Sequence, residues 1–563
     1  MDIDRRKLAT AIALAAMALW LPHPEVQGQA STIDPNASQP QTVSAQTIVQ
    51  PANLLEQGME LEQQGQWAEA LSHYQQAVKQ FPADGKLLHR RTIARIHFDL
   101  DRRYSDSSFL KTIASTSGSS ALKVYNEVLM KIQSYYVNQP QWVYLANFGI
   151  TNLEVALQEE NFRRLNIPQA TTQQIASAIK KMRNRLDQQP VRNRSDAYMV
   201  AKTVAQLMQQ ELSVPVQSTI YEFTSGAIAS LDPYSAFMSH SQYSETMSQI
   251  EGNFVGLGVE LKTHSDSLEI VNVIKGGPAS QGDVRTGDQI VAVDNQRVSD
   301  VGSERAADML RGTEGSVVSI AVSRGGQLPQ VIHLERRRVD IPSVDQVGIV
   351  DADNGVAYIR LTNFQKTTAR DFDQALWDLH GQGMRSLIVD VRGNPGGLLS
   401  ASVDVADRFV NSGVIVSTRG RNPMEDFTHR AQMANTWRVP LVVLVDENSA
   451  SASEIFAAAI SDHHRGTIVG TRSYGKGSVQ GIFPLNTSGG GIRLTTAKFF
   501  SPNGSPISQV GVTPDVAVQY TARVNPQAAS SPGDDNPLRI AIDLANRSVA
   551  ANSVSEKSSV AEN

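Results

Sequence analysis

The chain of 563 residues is too long for one hydrophobic core, and its 41% apolar content is enough for about two to four globular domains. Charged residues make up 19%, and 51 basic against 56 acidic residues leave a net charge of −5, so there is no global positive field to hold nucleic acid. The absence of cysteine excludes disulfides, thiol catalysis, iron–sulfur clusters and cysteine-type zinc sites, so any nucleophile is an oxygen or a nitrogen.

In chain order, Arg5, Arg6 and Lys7 precede an apolar run from Leu8 to Trp20 and a polar stretch that ends Gly28-Gln29-Ala30. This is the pattern of a secretory signal peptide over residues 1–30, with cleavage expected after Ala30. The run is shorter than the ~20 residues that span a bilayer, and an uncleaved membrane anchor is the alternative. No later segment is apolar for long enough, so the mature protein is expected in the periplasm or another extracytoplasmic space. Residues 31–51, rich in Gln, Ser, Thr and Pro, read as a linker. From 52 to 84, Gly58, Leu61, Gly65, Trp67, Ala70, Tyr74, Ala77 and Pro82 sit at the offsets of one tetratricopeptide-like unit. A lone repeat cannot bury its own face, so it is expected to pack on the helices that follow. An ordinary helical hairpin is the competing reading.

Residues 85–250 keep helical spacing, as in Val124, Val128 and Ile132, with breaks at Pro140, Pro168, Pro190 and Pro215. After Gly252 the pattern turns to short β-rich runs such as Leu268–Val271 and Gln289–Val293, interrupted by one helical stretch at Ser303–Leu310. From 355 the chain alternates strand and helix: Val356–Leu361, a helix near 368–380, Ser386–Val391, a helix near 398–410, then Leu441–Val445 before another helix. Such alternation predicts an α/β layered domain with a largely parallel sheet. The tail 522–563 holds one short amphipathic segment, Pro537–Asn546.

Three segments carry chemistry. Asp446–Glu454 contains Ser449, Ser451 and Ser453 between the apolar strand Leu441–Val445 and the apolar helix Ile455–Ile460. A serine at such a turn is exposed at the carboxyl edge of the sheet, where free N–H groups and the helix dipole can hold a developing oxyanion. Local physics does not choose among the three, and a serine-rich N-cap is the competing reading. The second segment, Arg472–Gln480, presents Lys476 from a Gly-Lys-Gly turn into a strand whose alternation places Lys476, Ser478 and Gln480 on one face. A lysine buried enough to lose its proton can serve as the base a serine hydroxyl needs, with Gln480 holding the amine. A solvated surface lysine is the competing reading, and the spacing of a phosphate-binding loop is absent. The third segment is Asp390–Gly397, where Gly396 or Gly397 could bring a second oxyanion N–H close to a ligand. His463 and His464 are adjacent rather than three or four apart and cannot face one ion from a helix, so neither a metal nor a cofactor is predicted.

Residues 220–520 resemble the carboxyl-terminal processing peptidases, serine endopeptidases with a Ser–Lys dyad. The resemblance lies in Leu231–Ser235, Phe254–Gly258, Leu310-Arg311-Gly312 with Gly315, Asp390–Gly397, Ser449–Glu454, Gly475–Gln480 and Gly511–Asp515. It implies Ser451 as nucleophile, Lys476, 25 residues later, as base, and Gln480 as its orienting partner. An acyl-enzyme on Ser451 would then have its oxyanion held by the N–H of Ala452 and of Gly396 or Gly397. It also implies a PDZ domain over residues 252–338, inserted before an α/β crotonase-like serine protease core at 339–521. There Gly256, Leu257, Gly258 and Val259 would offer amides to a substrate's terminal carboxylate, and the helix Ser303–Leu310 would form the other wall of the groove. The expected architecture is therefore multidomain α+β, and the expected partners are protein or peptide C-termini. A protein partner could dock on the helical N-terminal region. The helical stretch before Leu231 is longer than that usual in the family, and the tetratricopeptide-like unit is an addition. The alternatives are a catalytically inactive PDZ scaffold and a crotonase-like acyl enzyme.

Overall fold

The computed structural model describes residues 50–187, 189–264, 266–518 and 535–561, together with the dipeptide Ala13–Leu14. The predicted export signal and linker otherwise lie outside the described residues. The amino-terminal part is helical from Pro51–Gln63 to Val216–Ala229. Its first two helices, Pro51–Gln63 and Trp67–Gln80, form a hairpin around a small core of Ala70, Tyr74, Ala77 and Leu87. The hairpin packs on the next helix, Gly85–Ser105, where the Trp67 and His97 rings stack 3.7 Å apart. Gly58 is required there, since a Cβ would lie 2.3 Å from the Tyr74 ring.

The later helices bury an apolar core that continues into Phe483, Ile492 and Leu494 of a β-sheet and the adjoining Leu485, so the helical region and that sheet share one interior. That sheet is antiparallel and runs Ser478–Pro484, Gly491–Phe500, Val414–Gly420, Thr428–Arg430. Ala236–Met238 pairs with the second of these strands, and Ala13–Leu14 lies at the outer edge of the first. This second sheet was not legible in the strand–helix alternation.

The predicted parallel sheet is present. Its order is Val344–Asp351, Val356–Leu361, Ser386–Asp390, Leu441–Val445, Thr467–Gly470, Val516–Ala517, parallel except for the first strand. Its central strands are buried on both faces, which is why they read as continuous apolar runs. One face, with Ala357, Ile359 and Val389, packs on the helices Thr368–Gly381, Leu399–Asp407 and Ala452–Asp462. The opposite face, with Val356, Tyr358 and Ile388, is covered by Ala541 and Ala545 of the helix Asn536–Ala561. That helix is longer than the segment 537–546 read from the sequence, and it closes the core sheet.

Between helical region and core stands a five-stranded module with order Val259–Thr263, Leu268–Val273, Gln289–Val293, Val317–Ser323, Gln330–Glu335; Gln296–Arg297 pairs with its third strand. It is joined to the core by two antiparallel stalk strands, Asn253–Gly256 and Arg337–Asp340. Among the described residues no helix is long and apolar enough to cross a membrane.

Candidate active site

The helix Ala452–Asp462 begins where the buried strand Leu441–Val445 ends, and the three serines of that turn are distinguished by their hydrogen bonds. Ser449 Oγ donates to the Val391 carbonyl (2.8 Å) and accepts the Asp446 N–H (2.9 Å). Ser453 Oγ donates to the Asn394 carbonyl (2.9 Å). Ser451 is fully buried, yet among the described residues its Oγ has no hydrogen-bond partner. Its backbone stands at φ 60°, ψ −108°, a strained conformation for a residue with a Cβ. Ser451 stands at the N-cap of the helix with its backbone N–H held by the Glu454 side chain, whereas Ser449 and Ser453 bond to the loop Asp390–Gly397 rather than cap the helix.

Lys476 lies in the loop just before the strand Ser478–Pro484 and is 3% exposed. Burial is the main cause that lowers its pKa from 10.5 to about 7; Arg493 nearby adds to it, and Glu454 and Asp232 act against it. The ammonium-bearing end lies 5.0 Å from the centre of the Tyr234 ring. Tyr234 is set by the loop Leu231–Ser235, in which Asp232 accepts the N–H groups of Tyr234 (2.7 Å) and Ser235 (2.8 Å). Arg493 in turn donates to the Tyr234 carbonyl (2.8 Å). Gln480 is fully buried and donates to Ser478 Oγ (2.9 Å), which places both on one strand face.

Glu454 ties these pieces together. Its Oε2 accepts the backbone N–H of Ser451 (2.7 Å) and of Lys476 (2.9 Å), so the two residues converge on one oxygen atom. Its Oε1 accepts the Gly475 N–H and the Ser473 hydroxyl, both at 2.6 Å. Burial raises this carboxyl above its ordinary range against four bonds that pull it down, and every partner donates to it. Sequence reasoning missed Glu454 and Tyr234 as site residues. The Ser-x-x-Glu spacing of a capping box could have pointed to the first, whereas nothing local pointed to the second.

The loop Asp390–Gly397 lies against the serine turn. The Asn394 carbonyl accepts the Ala450 N–H (3.0 Å) as well as the Ser453 hydroxyl, so it grips both sides of Ser451. A Cβ on Gly396 would sit 3.0 Å from Ser451 Cβ. The two glycines differ in their amides: Gly396 N–H donates to Asn394 Oδ1 (2.9 Å), while Gly397 N–H, like Ala452 N–H, has no partner among the described residues. Gly397 has φ +138°, and a Cβ there would lie 2.0 Å from the Phe364 carbonyl oxygen.

In the inserted module, Val259–Thr263 is an edge strand, and the helix Ser303–Leu310 contributes Ala306 and Leu310 to the same small core. The carbonyls of Leu257 and Gly258 accept from Ala279 and Ile274, and their amides have no partner among the described residues. His463 is at the end of the serine-bearing helix, where its ring nitrogen pairs with the Val414 carbonyl.

A free hydroxyl at a strand-to-helix turn, a buried lysine on the same carboxylate, and an edge-strand module on a stalk are the parts of a serine-type peptidase with a peptide-binding domain. Residues 355–518 match peptidase family S41 and residues 255–332 match the PDZ domain. The carboxy-terminal-processing protease of Bartonella bacilliformis is 35% identical over 309 residues, 54% of this chain and 70% of that protein. The carboxyl-terminal-processing protease of Synechocystis sp. is 33% identical over 329 residues, 57% of this chain and 76% of that one. Among solved structures, the photosystem II D1 C-terminal processing protease is 25% identical, covers 71% of this chain and 93% of its own, and has a TM-score of 0.37. The chain belongs to the carboxyl-terminal processing proteases and is a serine-type peptidase.

Proposed function

We propose that this peptidase is exported, binds substrate C-termini with its PDZ domain, and cleaves the chain upstream through an acyl-enzyme on Ser451. The observation that carries the reading is the unpartnered, buried Ser451 hydroxyl, whose turn shares one Glu454 oxygen with the turn of Lys476. With its pKa near 7, Lys476 supplies a neutral amine at ordinary pH. The amine takes the Ser451 proton as Oγ attacks the substrate carbonyl carbon. The tetrahedral oxyanion faces the N–H groups of Ala452 and Gly397, both unpartnered among the described residues, while Gly396 supports the loop through Asn394. The ammonium then gives its proton to the departing amine as the C–N bond breaks, and water hydrolyses the ester with Lys476 again as base. Gln480 orients the lysine.

The amides of Leu257 and Gly258 receive the terminal carboxylate and the edge strand from Val259 pairs with the residues before it. Counting its stalk, the PDZ unit runs over 252–338. We further read 52–84 as one tetratricopeptide-like unit offering a protein-docking surface, and the core 339–521 as crotonase-like. Hydrolysis of a fluorogenic peptide with a free C-terminus by the wild type and its loss in Ser451→Ala test the reading; equal rates would end it.

A further inference from the structure

We infer that the C-terminal helix takes part in catalysis indirectly, with Asp535 as a positioning residue that holds the oxyanion loop through Arg392. This rests on the reading of Gly397 and Ala452 as the oxyanion donors. The helix Asn536–Ala561 seals the outer face of the parallel sheet, a packing role already met by Ala541 and Ala545. Its first contact with the core is of another kind. Asp535 caps the helix by accepting the Leu538 N–H (3.1 Å), and with both oxygens it takes a bidentate pair from Arg392, each bond 2.8 Å.

Arg392 is the third residue of the loop that ends at Gly397. Its guanidinium is only 12% exposed and bridges two carboxylates, Asp535 on the helix and Asp390 at the end of the strand Ser386–Asp390. Asp390 also accepts the Tyr358 hydroxyl (2.7 Å) and the Arg392 N–H (2.9 Å), so one end of the loop is built around this cation. The following residues run without slack into the serine turn. Gly393 N–H donates to Asp446 (2.9 Å), Asn394 binds both sides of Ser451, and the Gly396 carbonyl accepts from Phe364 (2.8 Å). Asp390 alone would leave half of the Arg392 fork without a counter-charge in a buried site, at a cost that favours displacement of the loop. Asp535 closes that half. Burial alone would raise the pKa of this carboxyl, and the Arg392 guanidinium with the Leu538 N–H more than reverses this, so it stays below its ordinary range.

Two variants of the full-length protein separate positioning from packing. Asp535→Asn keeps a good N-cap but loses the charged fork, and is expected to lower kcat about ten-fold with KM close to wild type, together with some fall in melting temperature. Asp535→Glu, which keeps the carboxylate, should recover most of that loss. Ala545→Gly weakens the helix and its packing and should lower the melting temperature by about 2–4 °C with kcat retained. Wild-type kcat in Asp535→Asn overturns the inference, as does a kcat that follows the melting temperature in both variants. Ser451→Ala, run alongside, distinguishes the two failures: activity there removes the acyl-enzyme reading itself, whereas an inactive Ser451→Ala with a fully active Asp535→Asn removes only the role of the helix.

Discussion

Burying Lys476 has a thermodynamic signature that can be read without any substrate. The fall of its pKa from 10.5 to about 7 corresponds to at most about 5 kcal/mol of preference for the neutral amine in the folded protein. Above pH 10.5 the lysine is neutral in both states and this cost is absent. Between 10.5 and 7 the unfolded chain holds a proton that the folded one lacks, so stability rises with pH across that window. Below 7 both states are protonated, and the folded state carries the full cost of a buried ammonium. Lys476→Met replaces the amine by an apolar side chain of similar length, so it should stabilise the protein by a few kcal/mol at pH 6 and make little difference at pH 10.5. Chemical denaturation of both proteins at pH 6, 8 and 10.5 measures the difference. A gap that does not change with pH would mean that Lys476 titrates as an ordinary lysine, and the proposed dyad would lose its base.

The same pKa predicts an acid limb near pH 7 in the pH–rate curve of kcat/KM, which no His→Ala substitution should remove. Lys476→Arg should have only background activity, because a guanidinium holds its proton, while Gln480→Ala should slow turnover about ten-fold, the two being compared by peptide hydrolysis. Gly397→Ala must push its methyl into the Phe364 carbonyl 2.0 Å away, so kcat should fall at least about 100-fold; near-normal kcat would show that the oxyanion is held elsewhere. If the proposed PDZ capture holds, amidating a substrate's C-terminus should slow cleavage markedly by removing the charge assigned to the Leu257 and Gly258 amides, and equal rates for acid and amide would refute it. Amino-terminal sequencing of secreted protein should start at Ser31, and a start at Met1 would refute cleavage of the leader.

Much of the layered core was legible along the chain because its order is local. Strands buried on both faces, such as Leu441–Val445, appear as unbroken apolar runs, and Ser303–Leu310 shows its helical spacing directly. The segments of the site were legible for the same reason, since turns need glycines and small polar residues at set offsets. What the sequence alone could not decide was which groups meet. Three serines of equal local chemistry became different only when Val391 and Asn394, from a separate strand end, engaged Ser449 and Ser453 and left Ser451 free. Gly396 and Gly397 separated in the same way, through the Asn394 side chain. The antiparallel sheet of Ser478–Pro484 and Gly491–Phe500 escaped notice because its partners, Val414–Gly420 and Ala236–Met238, are far away in the chain. The charge state of Lys476 is the extreme case. It is set by desolvation and by Arg493, Glu454 and Asp232, which come from three segments that only the tertiary structure brings to one point.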